Sequence, residues 1–457
     1  MNECDIFVLL ISNNSLNSSW VQKEIELASK LMITRDLIFL PYNIDPNVKP
    51  LDKRIDEWVW KKLIKYYEYP KLMGRAIQRK INDHIAAKFP DIKSLDELFV
   101  GRNNDMGKLE HDFYRENLSC LKSIFISGFP FIGRKTVYKR FIQQYIKKNA
   151  SYKPVIIRLS NTDSIEQFAI YLNEHVGLLK STSIIDEVSK GKENTIELCS
   201  KLLLTLMDYN EKLVIEDDAC IVKAGGAIVD WFLDLVHMQS LPSEVVFYVA
   251  SRYRPNPSFV SESPLMMEYP MSTLHKEDMY SLFKHCLAIH KQQLDEELIA
   301  DYVDCFTGYP KQAIDAAEIV CKNNELLAKK KIGRIKESYD GNYAPIWDEF
   351  TEDCRDLVVL LSKFDFISTQ LLLDIYRGKD ITSLLEELEP FSLCESFGKT
   401  NEYICLSPAF ADYIARSRYK MSSAFAKTYN MATKAMLAEI DSELTDISSR
   451  LYSTSVS

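Results

Sequence analysis

The segment Gly128-Phe-Pro-Phe-Ile-Gly133-Arg-Lys-Thr136 has residue types and spacing suited to cradling phosphate. A glycine at each end lets a loop tighten until its backbone N–H groups, and the N-terminus of the helix that follows, converge on an anion; a lysine adds a point charge. The standard spacing is G-x-x-x-x-G-K-[ST]. Here Gly133 is followed by Arg134, Lys135 and Thr136, so either one residue is extra or Arg134 takes the lysine's place. Pro130 and Phe131 stand where small residues would let a phosphate approach, which favours nucleotide binding and disfavours hydrolysis. Farther along, Glu211-Lys-Leu-Val-Ile-Glu-Asp-Asp218 is an apolar run that ends in three carboxylates. Asp217 and Asp218 are candidates to hold Mg²⁺, and Glu216 to orient a water. A third run, Glu244 to Arg252, ends in Ser251-Arg252, a candidate sensor of the γ-phosphate. Each motif alone has a plain structural explanation, since glycine-bracketed turns and solvated acidic strand ends are common. Their order along the chain carries the case.

Positioning such a loop requires a strand before it and a helix after it. Ile124 to Ser127 is a short apolar run that reads as a buried strand, and Thr136 to Ile146 has the amphipathic pattern of a helix. Val155 to Leu159 reads as another strand and Ser164 to Leu179 as a helix. A chain of 457 residues predicts roughly two to four domains with sizeable cores. A net charge of −9 argues against a dedicated nucleic-acid binder. The ten cysteines are scattered with no C-x-x-C pair, which suggests cytosolic thiols rather than a zinc site or a disulfide framework. No long apolar run and no basic leader is present, so the expectation is a soluble, cytoplasmic protein with no membrane partner.

Near the start, Cys4 to Ser12 reads as a buried strand, Asn13 to Ser19 as a loop with a helix N-cap at Ser18 or Ser19, and Trp20 to Met32 as an amphipathic helix. Asp36 to Pro41 is a second strand, and Leu72 to Ile85 a further helix with basic outer positions. The alternation is that of a doubly wound α/β sheet. An apolar strand ending in Ser, a Ser-rich loop, then Trp20-Val-Gln-Lys-Glu24 resembles the second half of a Toll/interleukin-1-receptor (TIR) domain. The resemblance implies a flavodoxin-like fold and, in the members that cleave NAD⁺, a catalytic glutamate that maps onto Glu24. A carboxylate there would hold ribose hydroxyls and stabilise an oxocarbenium-like centre. On this alignment Met1 falls just before the family's third strand, so two βα units, roughly 60 residues, are missing, leaving a fragment or a misplaced start.

Leu98-Phe-Val-Gly-Arg102 resembles the opening segment of STAND NTPases, the class of NACHT and NB-ARC proteins. That resemblance places Val100, Gly101 and Arg102 against the base or phosphates, and it puts Pro310 of Thr307-Gly-Tyr-Pro310 against the nucleotide, coupling its state to the next domain. From Trp347 to Arg416, helical segments followed by short β-like ones suggest a winged helix. Its recognition segment, Ile381 to Pro390, is acidic and would repel DNA phosphates, so a lock on the nucleotide domain is favoured over DNA reading. The expected organisation is α/β: a partial TIR domain over 1–88, a STAND P-loop NTPase with helical lid over 97–330, a winged helix over 345–420 and a helical tail over 421–457. The function this implies is an NLR-like, antiphage-type immune switch. ATP or ADP with Mg²⁺ gates self-association through the TIR and NTPase domains, an unknown trigger starts it, and NAD is the effector's substrate. The alternatives are a non-enzymatic nucleotide-gated scaffold with a TIR remnant and, disfavoured by charge, an initiator-type AAA+ ATPase that binds DNA.

Overall fold

The computed structural model describes residues 4–35, 37–62, 64–88, 98–115, 120–376, 380–398 and 402–434. Its strands are β1 (Ile6–Ile11), β2 (Ile38–Asn43), β3 (Ser123–Ser127), β4 (Val155–Leu159), β5 (Leu213–Asp217), β6 (Phe247–Ser251), β7 (Met266–Pro270), β8 (Ile367–Ser368), β9 (Cys394–Phe397) and β10 (Tyr403–Leu406). A parallel five-stranded sheet has the order β4-β5-β6-β3-β7. Every residue of β3 and β6 is buried, as their near-continuous apolar sequences require of strands in the middle of a sheet. The strand β7 was not anticipated. Its sequence Met-Met-Glu-Tyr-Pro carries few β-branched residues, and only its register with β3, from Ser123↔Met266 to Ser127↔Pro270, makes it a strand.

By compactness the chain divides into two units. One comprises Met1–Lys93, Tyr138–Glu216 and Asp230–Tyr248, the other Ser94–Val137, Asp217–Val229 and Val249–Ser457. In this division residues 138–216 group with the N-terminal segment. Part of the reason is ionic. The helix Pro70–Lys88 carries Arg75 and Arg79, which pair with the buried Glu211 at 3.2 and 3.0 Å.

Within the first unit, β1 and β2 form a parallel pair from Ile6↔Ile38 to Ile11↔Asn43. The helix Ser19–Thr34, capped by the Ser18 side chain, packs Ile25 and Ala28 onto a core that includes Leu9, Ile11, Leu16 and Phe39. Of the doubly wound TIR fragment expected over 1–88, the described sheet contains this pair and nothing more. The helices Ile165–Val176 and Lys192–Asp208 also belong to this unit.

Within the second unit, the helices Lys276–Ile289, Glu296–Val303 and Pro310–Lys322 lead to a 3₁₀ segment, Ile335–Asn342, and the short helix Ala344–Glu349. Beyond it come helices Glu352–Leu361, Thr369–Ile375 and Ile381–Leu388, an antiparallel sheet ordered β8-β10-β9, and helix Pro408–Ser417. Residues 423–434 are helical, anchored where Asp356 accepts hydrogen bonds of 2.6 Å from both the N–H and the hydroxyl of Ser422. The remainder of the expected tail, and most of the expected linker after Ala86, lie outside the described residues.

Candidate functional site

Gly128 leaves β3 at φ +148°, and Gly133 closes the loop at φ +101°. A Cβ at Gly128 would come within 3.3 Å of the Met271 carbonyl oxygen, so the first position has both the conformation and the tight space that call for glycine. The helix Arg134–Phe141 begins immediately after Gly133, with four residues between the glycines. Counted from Gly133, Arg134 stands at the lysine's position, Lys135 at that of the Ser/Thr hydroxyl and Thr136 one position beyond. Among the described residues, no backbone carbonyl accepts from the N–H of Phe131, Gly133 or Thr136, which gives the loop donors for an anion. The helix also runs on differently from the expected 136–146, passing into a π-helical turn at Ile142–Ile146.

The loop is braced from the opening segment. Buried Arg102 donates to the Ile132 carbonyl at 3.0 Å, to the Ser272 carbonyl at 2.8 Å and to Asp105 at 2.8 Å. Its guanidinium is spent on loop architecture rather than held for a base or a phosphate. Gly101 sits at φ +76°, and a Cβ there would lie 2.5 Å from Cβ of Asp278, so packing accounts for this glycine.

Aromatic side chains fill the far side of the loop. Phe129 is buried, 5.3 Å from Tyr343 and 6.4 Å from Tyr309 between ring centroids. Phe131, at φ +68°, meets Tyr339 edge-on at 5.9 Å, with Lys311 Nζ 5.9 Å from its ring. A left-handed conformation costs a non-glycine residue about 1–2 kcal/mol, which these contacts offset. Tyr343 donates to the Tyr309 hydroxyl at 2.7 Å, and Pro310 Cγ lies 4.0 Å from where Gly133 would carry a Cβ. Pro310 thus lies beside the closing glycine of the loop. Tyr339 and Tyr343 beside it carried no motif. Their only trace in sequence is the presence of phenylalanines where a phosphate loop has small residues.

The acidic strand end is arranged otherwise than expected. Buried Asp217 accepts from the backbone N–H groups of Cys220 and Ile221 through Oδ1, at 2.8 and 2.7 Å, and from Val222 through Oδ2, at 3.0 Å. Burial pushes its pKa up, against the pull of those three amides and of the Arg134 charge. Asp218 pairs with Arg252 at 3.1 Å, and the Arg252 N–H donates to the Asp217 carbonyl. Ser251 is buried and donates to the Tyr253 carbonyl. Glu216, one residue before Asp217, pairs with Arg158 at 2.8 Å. Mg²⁺ coordination by Asp217 therefore fits poorly, since both of its oxygens are engaged, while Asp218 is drawn to Arg252 through Oδ1. Among the described residues no group of three or more His, Cys, Asp or Glu side chains could hold a metal.

Glu24 stands apart from these residues. It is exposed on the helix Ser19–Thr34, and among the described residues its carboxylate makes no hydrogen bond or ion pair. Trp20 beside it is 75% exposed, with Lys23 Nζ 5.6 Å from its ring. This is a solvated helix face, without the enclosing groups that a glycosidic carboxylate needs.

No family model and no curated protein matches the chain. Among solved structures it is similar to a Walker-type ATPase of Pyrococcus abyssi (14% identity, TM-score 0.48, 69% of this chain and 96% of that one). It is also similar to the ORC2 protein of Aeropyrum pernix in ADPNP and ADP complexes (12%, 0.41, 75% and 98%). A third is a Signal Transduction ATPase with Numerous Domains from Pyrococcus horikoshii that has a tetratricopeptide repeat sensor (14%, 0.34, 76% and 47%). Among the described residues no helix is long and apolar enough to cross a membrane.

Proposed function

We propose that the chain is a nucleotide-gated switch of the STAND kind, binding ATP or ADP at residues 128–136 and hydrolysing it weakly or not at all. The observation that carries this reading is the glycine-bracketed turn between β3 and the helix Arg134–Phe141, with Arg134 in the first helical turn. Cationic charge and unengaged N–H donors converge there, as anion recognition requires. Gating is supported by the aromatic contacts, because Phe129 touches Tyr343, whose ring also lies 5.4 Å from Phe410 and 5.2 Å from Tyr413 of the helix Pro408–Ser417. That helix closes the segment expected to be a winged helix, which on this reading locks the nucleotide site. Titration calorimetry of ATP and ADP into the full chain tests the reading. Binding that Arg134→Ala weakens by about tenfold or more is expected, and absence of binding to the wild-type chain would end the proposal.

The finer reading adds a TIR effector over 1–88 that cleaves NAD⁺ through Glu24 in antiphage-type immunity, after self-association set off by a trigger. The pattern around Trp20-Val-Gln-Lys-Glu24 supports it; the exposure of Glu24 favours the scaffold instead. NAD⁺ consumption that requires ATP and disappears in Glu24→Ala would establish the effector. Undiminished NAD⁺ would leave the scaffold.

A further inference from the structure

We infer that this site holds nucleotide phosphates by cationic side chains and backbone N–H groups alone, with no protein ligand to Mg²⁺, so that affinity survives removal of the metal. The inference rests on the nucleotide-binding reading above and concerns how the same site recognises its ligand. Three separate features support it.

The position that offers a hydroxyl to the metal in a standard loop is Lys135, an exposed side chain that carries only N–H donors. Thr136, one residue later, is rotated about 100° around the helix from that position. The second feature is the acidic strand end. Both oxygens of Asp217 are occupied by the Cys220, Ile221 and Val222 amides, which shape the turn after β5. Releasing the carboxylate to a metal would strand three buried donors, so the turn opposes it. Asp218 is paired with Arg252. The third is charge. Arg134 and Lys135 together place two cations at one helix start, where a standard loop has one, and the second can neutralise phosphate charge that Mg²⁺ would otherwise screen.

A site of this kind prefers the metal-free, more highly charged polyphosphate or is indifferent to the metal. Its affinity falls as salt rises, because attraction between exposed charges is screened.

The test is titration calorimetry of ATP and of ADP into the full chain at one fixed ionic strength, first with excess Mg²⁺ and then with EDTA. The expected result is a Kd that changes by less than about threefold, or tightens, on chelation. Arg134→Lys is expected to keep that indifference, whereas Arg134→Ala weakens both arms alike. A Kd that weakens about tenfold or more in EDTA would overturn the inference and leave nucleotide binding standing. Failure of the wild-type chain to bind either nucleotide under both conditions would overturn the inference together with the reading beneath it.

Discussion

Two buried carboxylates bracket β5, and each is neutralised by different means. Glu211, just before the strand, is met by two formal charges, Arg75 and Arg79, and by the neutral Tyr152 hydroxyl, which donates to it at 3.1 Å. Asp217, at the strand's end, is met by three backbone amides. The side chains of both arginines remain 23% exposed, so water can take over from Glu211 if it is lost. The amides under Asp217 belong to a buried turn and have no such recourse. The difference explains why an acidic strand end that reads as a metal site is spent on architecture, while an acid at the other end fastens a helix.

The largest effect should come from the amide-bound acid. Asp217→Ala leaves three buried N–H groups without an acceptor and should destabilise the protein by about 3–5 kcal/mol in urea unfolding, whereas Asp217→Asn, which keeps one acceptor oxygen, should cost about half that. Equal and small losses for both would mean that the amides find water. Glu211→Ala should cost about 2–3 kcal/mol, less than a fully buried pair because the arginines can hydrate. Lowering of that cost by salt would strengthen the contrast, since the Asp217 bonds should be insensitive to it.

Lys147 sharpens the comparison through pH. Burial, with the nearby Lys212 charge, pulls its pKa from 10.5 down to about 8. Because the folded value lies below the unfolded one, the folded state binds fewer protons in between, and stability should rise as pH increases from about 8 toward 10. Lys147→Met should flatten that rise in unfolding curves taken across the range. The smallest effect belongs to Glu24→Ala, which should shift stability by under about 0.5 kcal/mol, as for an exposed helix position.

Much of the α/β scaffold is legible in sequence because buried parallel strands are near-continuous apolar runs: Ile124 to Ser127 and Val155 to Leu159 appear within a residue of their observed ends. The glycine loop is legible because its conformation demands glycine at two positions. The roles of the polar residues are not. Arg102, Asp217 and Arg252 look in sequence like ligands for a nucleotide, yet their partners are carbonyls, amides and each other's neighbours, set by tertiary contacts that no local pattern encodes. Phe129 and Tyr343 meet across more than two hundred residues of chain, and neither position has a periodicity that would mark it. At Glu24 the case is the opposite, since a local pattern is present while the side chain stands exposed among the described residues.

Trp347 gives the aromatic contacts around the loop a further use. Of the five tryptophans it is the one within residues 249–457, and its ring stacks on Tyr419 at 4.0 Å with 14° between the planes. It lies on the helix Ala344–Glu349, which follows directly on Tyr343, the residue in contact with Phe129. Any rearrangement of residues 128–136 that displaces Phe129 would therefore reach an intrinsic fluorophore through one turn of helix. Ligand arrival at the loop should register as a change in emission from the unlabelled protein, with Trp347→Phe as the silent control.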